Sequence, residues 1–253
     1  MSQPWEIYDA LLDGLPDDVV VRTAGQGPRW SRVLNSAGGV GTAWTMDVRS
    51  RPALSDDGPL DGRPLRDVGA LVKSWNLAEA SIGQAAINSW YSREQTAAAN
   101  GFEPTGEGLT WRQVFDPYRE MIVGKRVAVI GHFPFAEAAL AGAGEYICLE
   151  RNLQPGDWPD SACEYVLPEC DLVFISSSSF VNKTAPRLIE LSRHAHTVLV
   201  GPSTPLNPVL FDAGVDTITG FVVARSLSEP AALAELIPAG DIGPGFRVHR
   251  HRP

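Results

Sequence analysis

Four short polar stretches carry the side chains best suited to chemistry. In GHFPF (131–135), Gly131 suits a sharp backbone turn and His132 offers an imidazole able to act as a base or a metal ligand. In ERN (150–152), Glu150 lies 19 positions after Gly131, the spacing at which a carboxylate can accept hydrogen bonds from ribose hydroxyls. SSSSFVNKT (176–184) strings Ser176 to Ser179, Asn182 and Thr184 together, with Thr184 placed to cap a following helix that has Pro186 in its first turn. GPSTPLNPVLFDAGV (201–215) holds Ser203, Thr204 and Asn207 among three prolines that fix φ and stiffen the loop. Thr204 is expected to cap a helix running from Pro205 to near Gly214, whose free N–H groups would suit a carboxylate or phosphate.

The missing patterns narrow the chemistry. There is no G-x-G-x-x-G, so a dinucleotide pyrophosphate lacks the bare backbone it needs. A nucleoside without pyrophosphate, such as the adenosyl part of S-adenosylmethionine, suits Gly131 and Glu150 better. H-E-x-x-H, paired cysteines at two-residue spacing and G-x-S-x-G are also absent. Cys148 reads as core, and no preformed transition-metal cage is legible.

The elements that must position these loops are βαβ in pattern from Lys125 onward. KRVAVIG, EYICLE, DLVFISS, TVLVG and TITGFVV are near-continuous apolar strands, and PFAEAALAGAG and TAPRLIELSRHA are helices between them. This predicts a parallel sheet covered on both faces, a Rossmann-like α/β layer, with ligands beyond the carboxyl ends of its strands. All four polar stretches fall on that edge.

The first half reads differently. A helix over 5–12 precedes short antiparallel strands in DDVVVRTAGQGPRWSRVL and GVGTAWTM, separated by Gly-rich turns. Leu65, Val68, Val72 and Trp75 then share one helical face. A second helix starts at Asn76, with Glu79 at capping-box spacing and Ala78, Ile82, Ala86 and Trp90 as its apolar stripe. Residues 92–110 lose periodicity and read as a linker or exposed loop. The expected division is a small α+β domain over 1–108 and a Rossmann-like domain over 109–253.

Bulk properties exclude other classes. A net charge of −9 opposes nucleic-acid binding, and the basic tail RVHRHRP is too short to reverse it. No apolar run suits a membrane span, and the start of the chain lacks a signal-peptide layout, so a cytoplasmic location is expected. Three cysteines without finger spacing read as buried or free thiols, with no structural zinc.

The segments GRPLRDVGALVKSWNLAEASIGQAAINS, VAVIGHFPF, SSSSFVNKTAPRLIEL and GPSTPLNPVLFDAGVDTITGFVV resemble a prokaryotic family of unknown biochemical function, labelled "putative heavy-metal chelation". The resemblance spans most of the chain. It implies an enolase-amino-terminal-like α+β domain followed by a Rossmann-like domain, with a site in the cleft between them. Carried onto this sequence, it points to Asn76, Glu79, Ser81, Asn182, Thr184, Ser203 and Thr204. Gly131, Glu150, Ser176, Asn182 and Thr184 are the candidate cofactor-binding residues, and Asn76, Glu79, Ser81, Ser203 and Thr204 the candidate substrate-binding residues. His132 and Glu79 are the candidates for catalysis; no metal ligands are assigned.

The leading expectation is a protein that handles a small polar or anionic molecule in heavy-metal chelation or metallophore metabolism, the metal arriving through a bound chelator. One alternative is an S-adenosylmethionine-dependent transferase or cyclase making a small chelator or unusual amino acid. Another is a non-catalytic metal- or metabolite-binding protein. The expected partner is a small molecule, not nucleic acid or membrane, with a homodimer left open.

Overall fold

The computed structural model describes residues 3–48, 50, 58–106 and 111–253. Helix α1 (Glu6–Asp13) leads into an antiparallel sheet of β1 (Val21–Gln26), β2 (Trp30–Asn35) and β3 (Val40–Trp44). At the β2–β3 turn, the Asn35 side chain accepts from the amides of Ala37 and Gly39, each at 3.0 Å. Helices α2 (Leu65–Gly69), α3 (Leu77–Tyr91) and α4 (Glu94–Ala99) follow, with a 3-10 turn over 70–73 extending α2.

Helix α3 is buried on nearly every face, not along a single stripe, with Trp90 among its less covered residues. Its small residues allow close approach to the sheet: Gly41 of β3 sits where a Cβ would lie 2.0 Å from the Ala85 carbonyl oxygen. The buried amides knit the layers together. Asn88 donates to the Thr42 carbonyl (2.8 Å) and Asn35 donates to the Ser89 carbonyl (2.9 Å). Leu65, Val68 and Val72 face the core as the periodicity requires, but Trp75 is 56% exposed because the helical turn ends before it.

The second sheet has eight strands in the order β4-β11-β10-β9-β8-β5-β6-β7. In chain order the remaining elements are β4 (Glu103–Pro104), β5 (Arg126–Ile130), α5 (Ala136–Ala139), β6 (Glu145–Glu150), β7 (Trp158–Pro159), α6 (Cys163–Val166), β8 (Leu172–Ser176), α7 (Ala185–Leu191), β9 (His196–Val200), α8 (Val209–Asp212), β10 (Thr217–Val223), α9 (Pro230–Ala239) and β11 (Gly245–His251). Strands β5 to β10 pair in parallel, while β11 and β4 join antiparallel at one side. The fold is therefore mixed α/β: a mostly parallel Rossmann-like sheet preceded by a small α+β unit.

Strand alternation separates two packing layers. Val127, Val129, Phe174, Val198 and Val200 meet Phe115, Tyr118 and Ile122 from the 111–122 segment. Ala128, Ile175, Leu199 and Ile218 belong instead to a core that continues into Tyr8, Leu11 and Ile87 of the first half. The Tyr8 hydroxyl donates to the Phe180 carbonyl at 2.9 Å across that boundary. At the other end of the chain, α9 packs against the first sheet. Leu233 joins Leu34 and Val40 in one buried cluster, the Ser228 hydroxyl donates to the Gly38 carbonyl (2.7 Å), and the Arg32 guanidinium donates to the Asp241 carbonyl.

Three local expectations change. The basic tail is strand β11, paired along its length with β10. Within 92–110, the alanine-rich EQTAAA forms α4 and 103–104 pair with β11; residues 107–110 lie outside the described ones. Helix α8 begins at Val209, not Pro205, and its amide at Val209 bonds to the Asn207 side chain (2.9 Å). Among the described residues, no helix is long and apolar enough to cross a membrane, and all three cysteines are buried and free.

Candidate functional site

The chain runs from β5 outward to β6 and β7, then returns to β8 on the other side of β5. Adjacent loops diverge there, and such a switch point opens a crevice at the carboxyl edge of a parallel sheet. Gly131 turns away from β5 at φ +98°, a region costly for other residues, and a Cβ there would lie 2.8 Å from the Ser176 Cβ. The resulting cleft has a volume of about 920 Å³, ample for a small molecule. Its floor is the sheet edge, and Trp30, Trp44, Met46 and Leu77 of the first half form the facing wall. The rings of Trp30 and Trp44 meet edge to face at 5.3 Å.

The serine run forms a 3-10 turn over Ser177–Phe180 directly after β8. Ser176 and Ser178 share a hydrogen bond of 3.0 Å, and the Ser177 hydroxyl accepts from the Ser203 amide (3.1 Å). Ser179 lines the cleft, but its hydroxyl is buried away from the open space and has no partner among the described residues. A buried unpaired hydroxyl is costly. Asn182 also lines the cleft; its Oδ1 accepts from the Thr184 amide (3.1 Å) and hydroxyl (2.6 Å), while its Nδ2 donors have no partner among the described residues. Thr184 therefore spends its hydroxyl on Asn182 and makes no side-chain cap for α7. It too lines the cleft.

Glu150 is at the cleft, but its carboxylate is already engaged. Oε2 accepts from the His132 amide (2.8 Å), and Oε1 accepts from the amides of Arg151 (2.6 Å) and Asn152 (2.9 Å). These three bonds clamp the loops after β5 and β6 together. The ribose-binding role for Glu150, and with it the S-adenosylmethionine reading, finds no support in this geometry.

His132 lines the cleft with its imidazole directed to Asp157: Nδ1 is 3.1 Å from both carboxylate oxygens. Cys148, on β6, completes a group whose donor atoms all lie within 4.8 Å of one another. Burial pushes the Cys148 thiol up to about 12, and neighbouring Asp157 adds to the effect. For Asp157, burial raises the carboxyl, but the Gln154 amide, the Cys148 thiol and His132 outweigh it and hold the group below its ordinary value.

The remaining expected residues serve the framework. Asn76 caps α3 by accepting from the Ala78 amide (3.2 Å). Glu79 does not reach back to the Asn76 amide in a direct capping box; Ser74 stands between, accepting from that amide (3.0 Å) and donating to Glu79 (2.5 Å). Ser81 accepts from the Met46 amide (3.0 Å) and donates to the Leu77 carbonyl (2.8 Å). None of these three lines the cleft. Ser203 is at the cleft but buried: its hydroxyl accepts from the Trp44 amide (2.8 Å), and its carbonyl accepts from Gln84 (3.2 Å). Thr204 is fully buried, and its hydroxyl lies within hydrogen-bonding distance of the Gly201 and Thr219 carbonyls (2.7 and 3.0 Å). The proline-rich stretch thus makes a packed contact between the two halves, in which Ser203 accepts from Trp44 and Thr204 is held by carbonyls of its own half.

Comparison with known proteins agrees with this architecture. A family model described as "Putative heavy-metal chelation" matches residues 113–239, and a second with the same description matches residues 8–91. A search of curated proteins gave no match. Among solved structures, a protein of unknown function from Desulfitobacterium hafniense, of the DUF364 family, is 37% identical over 98% of both chains, with a TM-score of 0.84. A DUF364 protein of unknown function from Pyrococcus horikoshii shares the fold at 21% identity and a TM-score of 0.77, over 98% of this chain and 99% of its own. With both halves matched and near-complete overlap with the Desulfitobacterium protein, the chain belongs to the DUF364 family.

Proposed function

We propose that the protein binds a small amino-carboxylate chelator, free or carrying its metal, in the cleft at the carboxyl edge of the large sheet. The observation that carries this reading is the unpartnered Ser179 hydroxyl, buried in the cleft wall beside the Asn182 amide donors. Turned toward the cleft, the hydroxyl would gain from a ligand oxygen the bond it lacks, and the Asn182 donors would hold a second oxygen.

Charge selects the ligand class. Among the described residues the lining carries the carboxylates of Asp47, Glu150 and Asp160 and the guanidinium of Arg151, which is paired with Asp160 at 2.8 Å. A bare polyanion or pyrophosphate meets net repulsion in such a wall, whereas an amine-bearing or metal-neutralised carboxylate does not. The family description, heavy-metal chelation, supports the same class of ligand.

Calorimetric titration with citrate and with an ethylenediamine-type amino-carboxylate, each metal-free and Co²⁺-loaded, tests the reading. Binding is expected for the amino-carboxylate or the loaded forms, not for free citrate. Ser179→Ala removes a buried hydroxyl without a partner, so its melting temperature is expected to match or exceed wild type. Combined with Asn182→Ala, it should lower affinity about tenfold, or ~1.4 kcal/mol. Unchanged affinity in the double variant would remove the serine turn from the site.

A further inference from the structure

We infer that His132, Cys148 and Asp157 form a binding site for one borderline-soft divalent cation, of the zinc and cobalt class, at the edge of the cleft. The three donors come from three places: the loop after β5, β6 itself and the segment just before β7. Their donor atoms already lie within 4.8 Å of one another, and His132 Nδ1 is 3.1 Å from the Asp157 carboxylate. Tetrahedral ligation at about 2.0–2.3 Å sets donor atoms roughly 3.3–3.8 Å apart, so the widest gap has about 1 Å to close. The movable member is His132, whose side chain is 36% exposed.

Donor chemistry fits the ion. A thiolate and an imidazole favour zinc, cobalt or cadmium over calcium or magnesium, which take oxygen ligands. One thiolate and one carboxylate balance a divalent charge, so the loaded site carries no net charge. Binding replaces the Cys148 thiol proton, which leaves to solvent, with a metal–sulfur bond. Three protein ligands leave a position open, and His132 lines the cleft. Water or a donor atom of a cleft ligand completes the shell there. The site does not rest on the chelator reading, because its ligands all belong to the chain.

Titration of metal-free protein with Co²⁺ alone, with no chelator present, tests the assignment. One equivalent is expected to bind, with a thiolate-to-cobalt charge-transfer band that Zn²⁺ abolishes by competition. Cys148→Ser should eliminate the band. His132→Gln and Asp157→Asn should each weaken Co²⁺ binding at least tenfold. Cys170→Ser should leave the band intact, since Cys170 precedes β8 and its thiol donates to the Val166 carbonyl (3.3 Å). Absence of the band in wild type overturns the assignment, as does a band that survives Cys148→Ser or follows Cys163, which also lines the cleft. Should circular dichroism show Cys148→Ser unfolded, the other two variants decide: unchanged Co²⁺ affinity in both overturns the site. Failure of chelators to bind the cleft, with Co²⁺ still bound by these three residues, would count against the proposed function alone.

Discussion

Replacing Gly41 with alanine is expected to destabilise the protein by at least about 3 kcal/mol, the upper end of ordinary overpacking. The added Cβ would lie 2.0 Å from the Ala85 carbonyl oxygen and 2.1 Å from the Ser89 amide nitrogen, both backbone atoms of α3. A flexible side chain could swing aside; a helix backbone cannot without carrying the Asn88–Thr42 and Asn35–Ser89 bonds with it. At roughly 2–4 °C per kcal/mol for a chain of this size, the melting temperature should fall by about 6–12 °C. Gly142→Ala is the matched control, because its Cβ would find its nearest neighbour at 3.9 Å. That variant should stay within about 0.5 kcal/mol of wild type. Equal melting temperatures for the two variants would show that α3 is not pressed against β3 as described.

Glu150→Gln is expected to cost about 1.5–3 kcal/mol, the range for hydrogen bonds to a charged group. Its carboxylate accepts three backbone amides, from His132, Arg151 and Asn152, and a neutral amide offers one oxygen in place of two. The loss should appear as faster hydrogen exchange at those three amides and a lower melting temperature, by roughly 3–12 °C. A ribose-binding glutamate would behave differently, weakening a ligand while leaving the free protein intact. Unchanged exchange at the His132 amide would sink the clamp.

What the sequence disclosed depended on how local each feature is. The parallel strands were legible because burial on both faces demands continuous apolar runs such as Val127–Ile130 and Leu172–Ile175. The Asn76 cap was legible for the same reason: its partner is two residues away. Thr184 and Thr204 share that local signature, yet their hydroxyls turn back to acceptors just upstream, Asn182 and the Gly201 carbonyl, and Thr204 also reaches the distant Thr219 carbonyl. Strand β11 was read as a basic tail because Arg247 and Val248 are its only buried residues, and its identity comes from pairing with β10.

The site followed the same rule. The carboxyl edge and its four loops came from topology, which patterning predicts. The His132–Cys148–Asp157 group did not, because its members stand 16 and 9 positions apart on separate elements and match no ligand spacing. The 111–122 segment that covers one sheet face was also missed; its Tyr118 ends a three-residue 3-10 turn and Phe115 immediately precedes that turn, so no period is sustained.

The packing of α9 on the first sheet ties the order of synthesis to the order of folding. A ribosome delivers β1, β2 and β3 first and α9 almost last, so the strip around Leu34 and Val40 stays uncovered until nearly the whole chain has emerged. Until then the Arg32 guanidinium also lacks the Asp241 carbonyl. A chain cut short before α9 would therefore fail at its beginning: the amino-terminal sheet, already made, would present an apolar strip and a stranded cation to the cell's proteases.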